Sequence, residues 1–267
     1  MSEPHPVDSR AAESLLAFWA EAGVDGCFDD APIDRTVERV RPIRQPAPAV
    51  AATAGPVGPD VSGALAEARR LAGQAPDLEA LAAAIAGFDG CALKFEGARQ
   101  AVFSRGAPDA PVMVIGEAPG AEEDQQGAPF VGRAGKLLDK MLAAAGLEGR
   151  VFITNTVYWR PSGNRTPSPQ EQLICSPFLE RAIALVNPRF LLLVGGASAK
   201  ALLQRPEGIL TLRGRWFDWR SADESQSVPA LPTLHPAFLL RQPAAKKKAW
   251  ADLLTLTERL DRPERPG

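Results

Sequence analysis

Three short segments carry the side chains best suited to chemistry. A GEAPG turn, residues 116–120, is followed by the acidic Glu122, Glu123 and Asp124 and then by PFVGRAG, residues 129–135. Glycines flanking a turn let the backbone approach a ligand with N–H groups free to bond it, although such a turn is equally ordinary strand punctuation. A second segment, ITN, ends in Asn155 and leads through Arg160 into PSGNRTP, which holds Asn164 and Arg165. A primary amide sets a donor beside an acceptor, so Asn155 can pair with complementary groups on the edge of a nucleobase; taken alone, it reads first as a loop cap. The third segment is HPAFLLR, residues 235–241, followed by Lys246, Lys247 and Lys248. The chain has only two histidines, and His5 lies in the N-terminal tail. His235 is therefore the candidate imidazole, though a lone histidine at a strand end also serves structural roles and the lysines also suit the polar face of a helix.

These segments follow short apolar runs, which is where an α/β domain presents its ligand groups. The runs are residues 112–115, 151–154, 190–194 and 230–233, and helical patterns separate them at 134–145, 169–186 and 198–203. Alternation of this kind predicts a mostly parallel sheet covered by helices on both faces. In such sheets the ligand crevice lies beyond the carboxyl ends of the strands, so the three segments are expected to converge. Ahead of them, helices are predicted over 61–74 and 77–86, with Asp77 as the N-cap of the second. Residues 41–60 are rich in Pro, Ala and Gly and read as a linker. Residues 1–40 form an N-terminal extension, with a short amphipathic helix at 9–22 that carries Leu15, Leu16 and Trp19. The domain proper spans 61–267.

The 267 residues carry a formal charge of -2, but the charge is unevenly distributed. Between residues 91 and 250 there are 20 Lys and Arg against 14 Asp and Glu, so the flanks are acidic. That asymmetry is compatible with phosphate binding and equally with a solvated surface. No apolar run approaches the roughly 20 residues that span a bilayer, and the N-terminus has no signal-peptide pattern, so a cytoplasmic protein without a membrane partner is expected. Three scattered cysteines, Cys27, Cys91 and Cys175, make no disulfide framework and point to a reducing compartment.

Taken in order, GEAPG, EED, PFVGRAG, ITN, RPSGNRTP and HPAFLLR resemble the family 4 uracil-DNA glycosylases, over roughly residues 88–254. The resemblance implies a three-layer α/β/α sandwich around a four-stranded parallel sheet, and a DNA-repair enzyme that hydrolyses the N-glycosidic bond of flipped-out uracil and leaves an abasic site. It assigns Phe130 to stacking on the base and Asn155 to reading it, with Gly116 and Ala118 lining the pocket. His235 then faces uracil O2, where negative charge accumulates as the bond breaks. Better-known relatives place an aspartate where this chain has Ala118. The carboxylate near the sugar is therefore expected from Glu117, then Glu123, with Asn164 as a water-orienting amide. Phe238, Leu239 and Leu240 are wedge candidates, Leu239 matching the family position best. Arg160, Arg165, Arg213, Arg241 and Lys246, Lys247 and Lys248 are expected on phosphates.

The chain departs from that family at its metal site. Family 4 enzymes hold a [4Fe-4S] cluster on four cysteines, and here the four places are Phe88, Cys91, Trp159 and Cys175. No cluster and no other cofactor are expected, with Phe88 and Trp159 filling the space. The partner expected is uracil-containing DNA, met by a monomer. Ala118 keeps open an alternative, a catalytically weak protein that binds uracil-DNA or abasic sites.

Overall fold

The computed structural model describes residues 61–262; the extension, the linker, the 9–22 helix, His5 and Cys27 lie outside the described residues. Two helices come first, α1 (Val61–Gln74) and α2 (Leu78–Gly87), and the Asp77 carboxylate caps α2 by accepting from the Ala80 N–H at 2.8 Å. A 3₁₀ turn at Ala92–Phe95 precedes β1 (Ser104–Gly106) and β2 (Val112–Gly116). Then follow α3 (Ala121–Gln126), α4 (Arg133–Ala144), β3 (Val151–Asn155) and α5 (Pro169–Val186). The chain continues through β4 (Phe190–Val194), α6 (Gly196–Leu203), α7 (Ile209–Leu212), β5 (Phe217–Arg220) and β6 (Ser227–Thr233). It closes with α8 (Pro236–Arg241) and α9 (Lys246–Leu260).

The sheet has six strands in the order β1-β3-β2-β4-β6-β5. Its four inner strands are the expected parallel set. The two edge strands are antiparallel additions of three and four residues, too short to announce themselves by periodicity. Pairing with β5 also extends β6 back to Ser227, three residues before the run expected at 230–233.

Alternation along the inner strands divides the core in two. Met113, Ile115, Phe152, Leu191 and Leu193 pack with α1, α2 and α5 on one face. Val112, Val114, Ile153, Leu192 and Val194 meet Leu138 and Leu142 of α4 and Leu253 and Leu256 of α9 on the other. Burial on both faces explains why these strands are continuous apolar runs, and the result is a three-layer sandwich. Among the described residues no helix is long and apolar enough to cross a membrane.

Where the first layer of helices meets the sheet, aromatic rings form a continuous cluster. Phe88 stands edge-on to Phe178 at 5.2 Å between centroids and 6.5 Å from Trp159, and Tyr158 packs against both Trp159 and Phe178. Trp159 is buried at 1% exposure. Truncating it opens a cavity that rigid neighbours cannot close. Trp159→Ala is expected to cost about 3–5 kcal/mol, read as a lower midpoint in urea unfolding with an unchanged slope.

Candidate active site

Strand register brings the first two segments together. Gly116, the last residue of β2, pairs with Asn155, the last of β3, and the Thr156 N–H donates to the Gly116 carbonyl at 3.0 Å. A Cβ at position 116 would lie 2.4 Å from the ring of Phe130 and 2.5 Å from Oδ1 of Asn155. Only glycine admits both groups. The third segment arrives in the same way, because Val194 of β4 pairs with Thr233 of β6 and the Gly195 N–H donates to the Thr233 carbonyl. His235 then packs over Gly195, whose φ of +98° and close approach to the imidazole suit a residue without a side chain. The rings of Phe130 and His235 stand 5.8 Å apart between centroids, tilted by 31°.

Asn155 is 1% exposed, and its side-chain oxygen has no hydrogen-bond partner. A buried amide oxygen left unsatisfied costs about 1–3 kcal/mol, a cost that a ligand donor at this spot would remove.

His235 is held in one tautomer. It caps α8, its Nδ1 accepting from the Ala237 N–H at 3.1 Å, so the proton of the neutral ring sits on Nε2. Loss of water around the imidazole, aided by the Arg241 cation and opposed by the Glu123 carboxylate, lowers its pKa to about 4. The ring is thus a neutral donor at ordinary pH.

Phe130 adopts a φ of +55°, a left-handed conformation rare for a bulky residue. Gly135 makes room for it, since a Cβ there would meet the Phe130 carbonyl oxygen at 1.7 Å. Glu123 braces the next two residues: its Oε1 accepts from the N–H groups of Val131 and Gly132 at 3.0 and 2.8 Å, and its Oε2 from that of Gly120 at 3.2 Å. In this structure both oxygens of Glu123 accept from backbone amides and hold the loop. Glu117 and Ala118, directly after Gly116, are half-buried, and Thr156 donates its hydroxyl to the Glu117 carbonyl at 2.7 Å. Asn164 lies on the exposed loop after β3, where its Oδ1 accepts from Nε of Arg160.

Several residues expected on DNA are placed otherwise. Leu239 is fully buried against Leu234 and Ala249, whereas Leu240 is 39% exposed and Phe238 half-buried. Helical rotation of α8 turns Leu239 inward, where it is not available as the expected wedge, and leaves Leu240 on the outer side. Arg213 is engaged with the buried carboxylate of Asp252 and the Lys248 carbonyl, and Thr233 donates to the same carboxylate at 2.7 Å. Arg165 pairs bidentately with Glu171 and also with Glu96, which ties its loop to the start of α5. Both arginines are therefore fold anchors before they are phosphate ligands. Arg241 and Lys246, Lys247 and Lys248 stay exposed around the end of α8 and the start of α9.

The cluster positions do not fit a four-thiolate site. Sγ of Cys175 and Sγ of Cys91 lie 3.9 Å apart in the core, sharing a thiol hydrogen bond, and the other two positions hold the buried rings of Phe88 and Trp159. That bond pushes the Cys175 thiol up and holds Cys91 down. Among the described residues no group of three or more His, Cys, Asp and Glu is placed to bind a metal.

Sequence comparison agrees with this geometry. The profile of the Uracil DNA glycosylase superfamily matches residues 103–254. A Type-4 uracil-DNA glycosylase of Pyrobaculum aerophilum is 40% identical over 183 residues, which are 66% of this chain and 91% of that protein. Those of Sulfurisphaera tokodaii and Thermotoga maritima are each 38% identical, over 62% and 52% of this chain and 77% and 71% of their own lengths. The match contains every strand from β2 to β6 and the groups that meet at their carboxyl ends, and the chain belongs to the uracil DNA glycosylase superfamily.

Proposed function

We propose that this chain is a uracil-DNA glycosylase that receives a uracil rotated out of DNA, hydrolyses its N-glycosidic bond and leaves an abasic site. The observation that carries the reading is the unpartnered, buried oxygen of Asn155 beside the Phe130 ring. Uracil offers N3–H to that oxygen and O4 to the amide nitrogen, while cytosine presents the reverse pattern. Phe130 supplies a flat face for the base. Nε2–H of His235 donates to O2 as the C1′–N1 bond breaks and its electron pair moves onto the base. A neutral donor suits this task, because it stabilises the leaving anion without first giving up a proton to solvent.

On the sugar side, water adds to C1′ and the displaced uracil takes up a proton. We assign Glu117 to stabilising the cationic sugar and Asn164 to orienting the water, with Glu123 acting through the loop it braces. Ala118 supports a second reading, in which the pocket binds uracil-DNA and turns over weakly. Excision assays on a uracil-containing oligonucleotide separate the two, since alkali-labile sites accumulate over many turnovers under the first and only slowly, with the DNA retained, under the second. Asn155→Ala and His235→Ala are each expected to slow excision about 10²–10³-fold, and Glu117→Gln by a comparable factor. Wild-type excision by Asn155→Ala would remove the base-reading assignment.

The His235 titration sets the pH behaviour. With a folded pKa of about 4 against an ordinary 6.5, the imidazole stays neutral from pH 8 down to pH 5.5, so excision should show no acid limb from this group in that range. The unfolded chain binds this proton first, so its contribution to folding stability is whole above pH 6.5 and is lost as pH falls toward 4. NMR titration of the imidazole checks both, and a midpoint near 6.5 would contradict them.

Leu240 is assigned as the wedge. Leu240→Ala should impair excision from duplex DNA more than from single strands and leave stability unchanged, whereas Leu239→Ala should cost about 2–5 kcal/mol of folding stability.

The protein is also proposed to work without an iron-sulfur cluster, on the strength of the aromatic rings that occupy two ligand positions. Iron and sulfide assays with a visible spectrum of anaerobically purified protein should find neither. A stoichiometric cluster would refute this.

A further inference from the structure

The carbonyls flanking the strained Phe130 are gripped by a single side chain. Arg105, on the antiparallel edge strand β1, donates from Nε to the Pro129 carbonyl at 2.7 Å and from Nη2 to the Phe130 carbonyl at 3.1 Å. Asp139 of α4 accepts from the same Nη2 at 2.6 Å and orients the guanidinium. On the far side, Glu123 holds the next two N–H groups. The Phe130 peptide is thus fixed by a cation on its carbonyls and an anion on the following amides, in a conformation its side chain disfavours. The left-handed φ directs the ring to the contact with Gly116 and Asn155.

We infer that Arg105, oriented by Asp139, is a positioning residue that presets the Phe130 ring for the extruded base. This rests on the reading of Phe130 as the stacking residue. Without the guanidinium the peptide can relax toward ordinary dihedrals and carry the ring away from the base. A planar fork suits two carbonyls and a carboxylate together, a task an ammonium performs only in part.

The test combines Arg105→Met, Arg105→Lys, Asp139→Asn, Phe130→Ala and the double variant Arg105→Met/Phe130→Ala. Excision kcat and KM and inhibition by free uracil are measured on each, with thermal melts alongside. Arg105→Met is expected to weaken uracil inhibition and lower kcat about tenfold each, with Arg105→Lys recovering part of both. The double variant should match Phe130→Ala alone, because the clamp acts through the ring. Wild-type behaviour of Arg105→Met, or a loss that adds in full to that of Phe130→Ala, overturns the clamp and leaves the stacking reading standing. An inert Phe130→Ala overturns the stacking reading and the clamp with it. If Arg105→Met does not fold, Arg105→Lys and Asp139→Asn are judged against Phe130→Ala by the same criterion.

Discussion

The pairing of Gly116 with Asn155 at the ends of β2 and β3 is the contact on which the rest of the site depends. Parallel register sets the two residues side by side, and the missing Cβ of Gly116 lets the Phe130 ring and the Asn155 oxygen occupy the same small space. A larger residue there would displace one or both. Gly195 repeats the device one strand over, where the imidazole of His235 lies on bare backbone.

Charge in this domain is spent on geometry before it reaches a ligand. Glu123 and Arg105 hold the two sides of one loop, Arg165 and Glu171 hold another, and Arg213 with Asp252 holds the strand end that leads to His235. The Asp252 carboxyl is raised by burial even though Thr233 and Arg213 pull it down, which marks a carboxylate kept inside for position. The rigidity gained is what a pocket needs when its chief groups are an amide, a neutral imidazole and a ring. None of the three carries a charge that could attract a substrate from a distance.

The aromatic cluster around Phe88 and Trp159 ties together segments that lie far apart along the chain. Interlocking rings join the α2 end, the loop after β3 and α5. The cluster's many weak contacts hold only because the volume is well filled. Cys91 and Cys175 remain as a buried thiol pair within that packing.

The sequence by itself determined the parallel core and the chemistry placed at its edge. Runs such as 190–194 and the 169–186 pattern appear in the structure at the same boundaries, because both-face burial and a Ser168 capping box leave a direct mark on residue order. The segments carrying Asn155, Phe130 and His235 follow apolar runs in the sequence, and the structure brings the three residues together at the strand ends. Tertiary structure alone decided the two antiparallel edges, whose pairing partners lie far along the chain. It alone turned Leu239 inward and Leu240 outward, and it gave Arg213, Arg165 and Glu123 partners that no local pattern announces. Residue type states what a side chain can bond; which bond it makes depends on groups that only folding brings within about 3 Å.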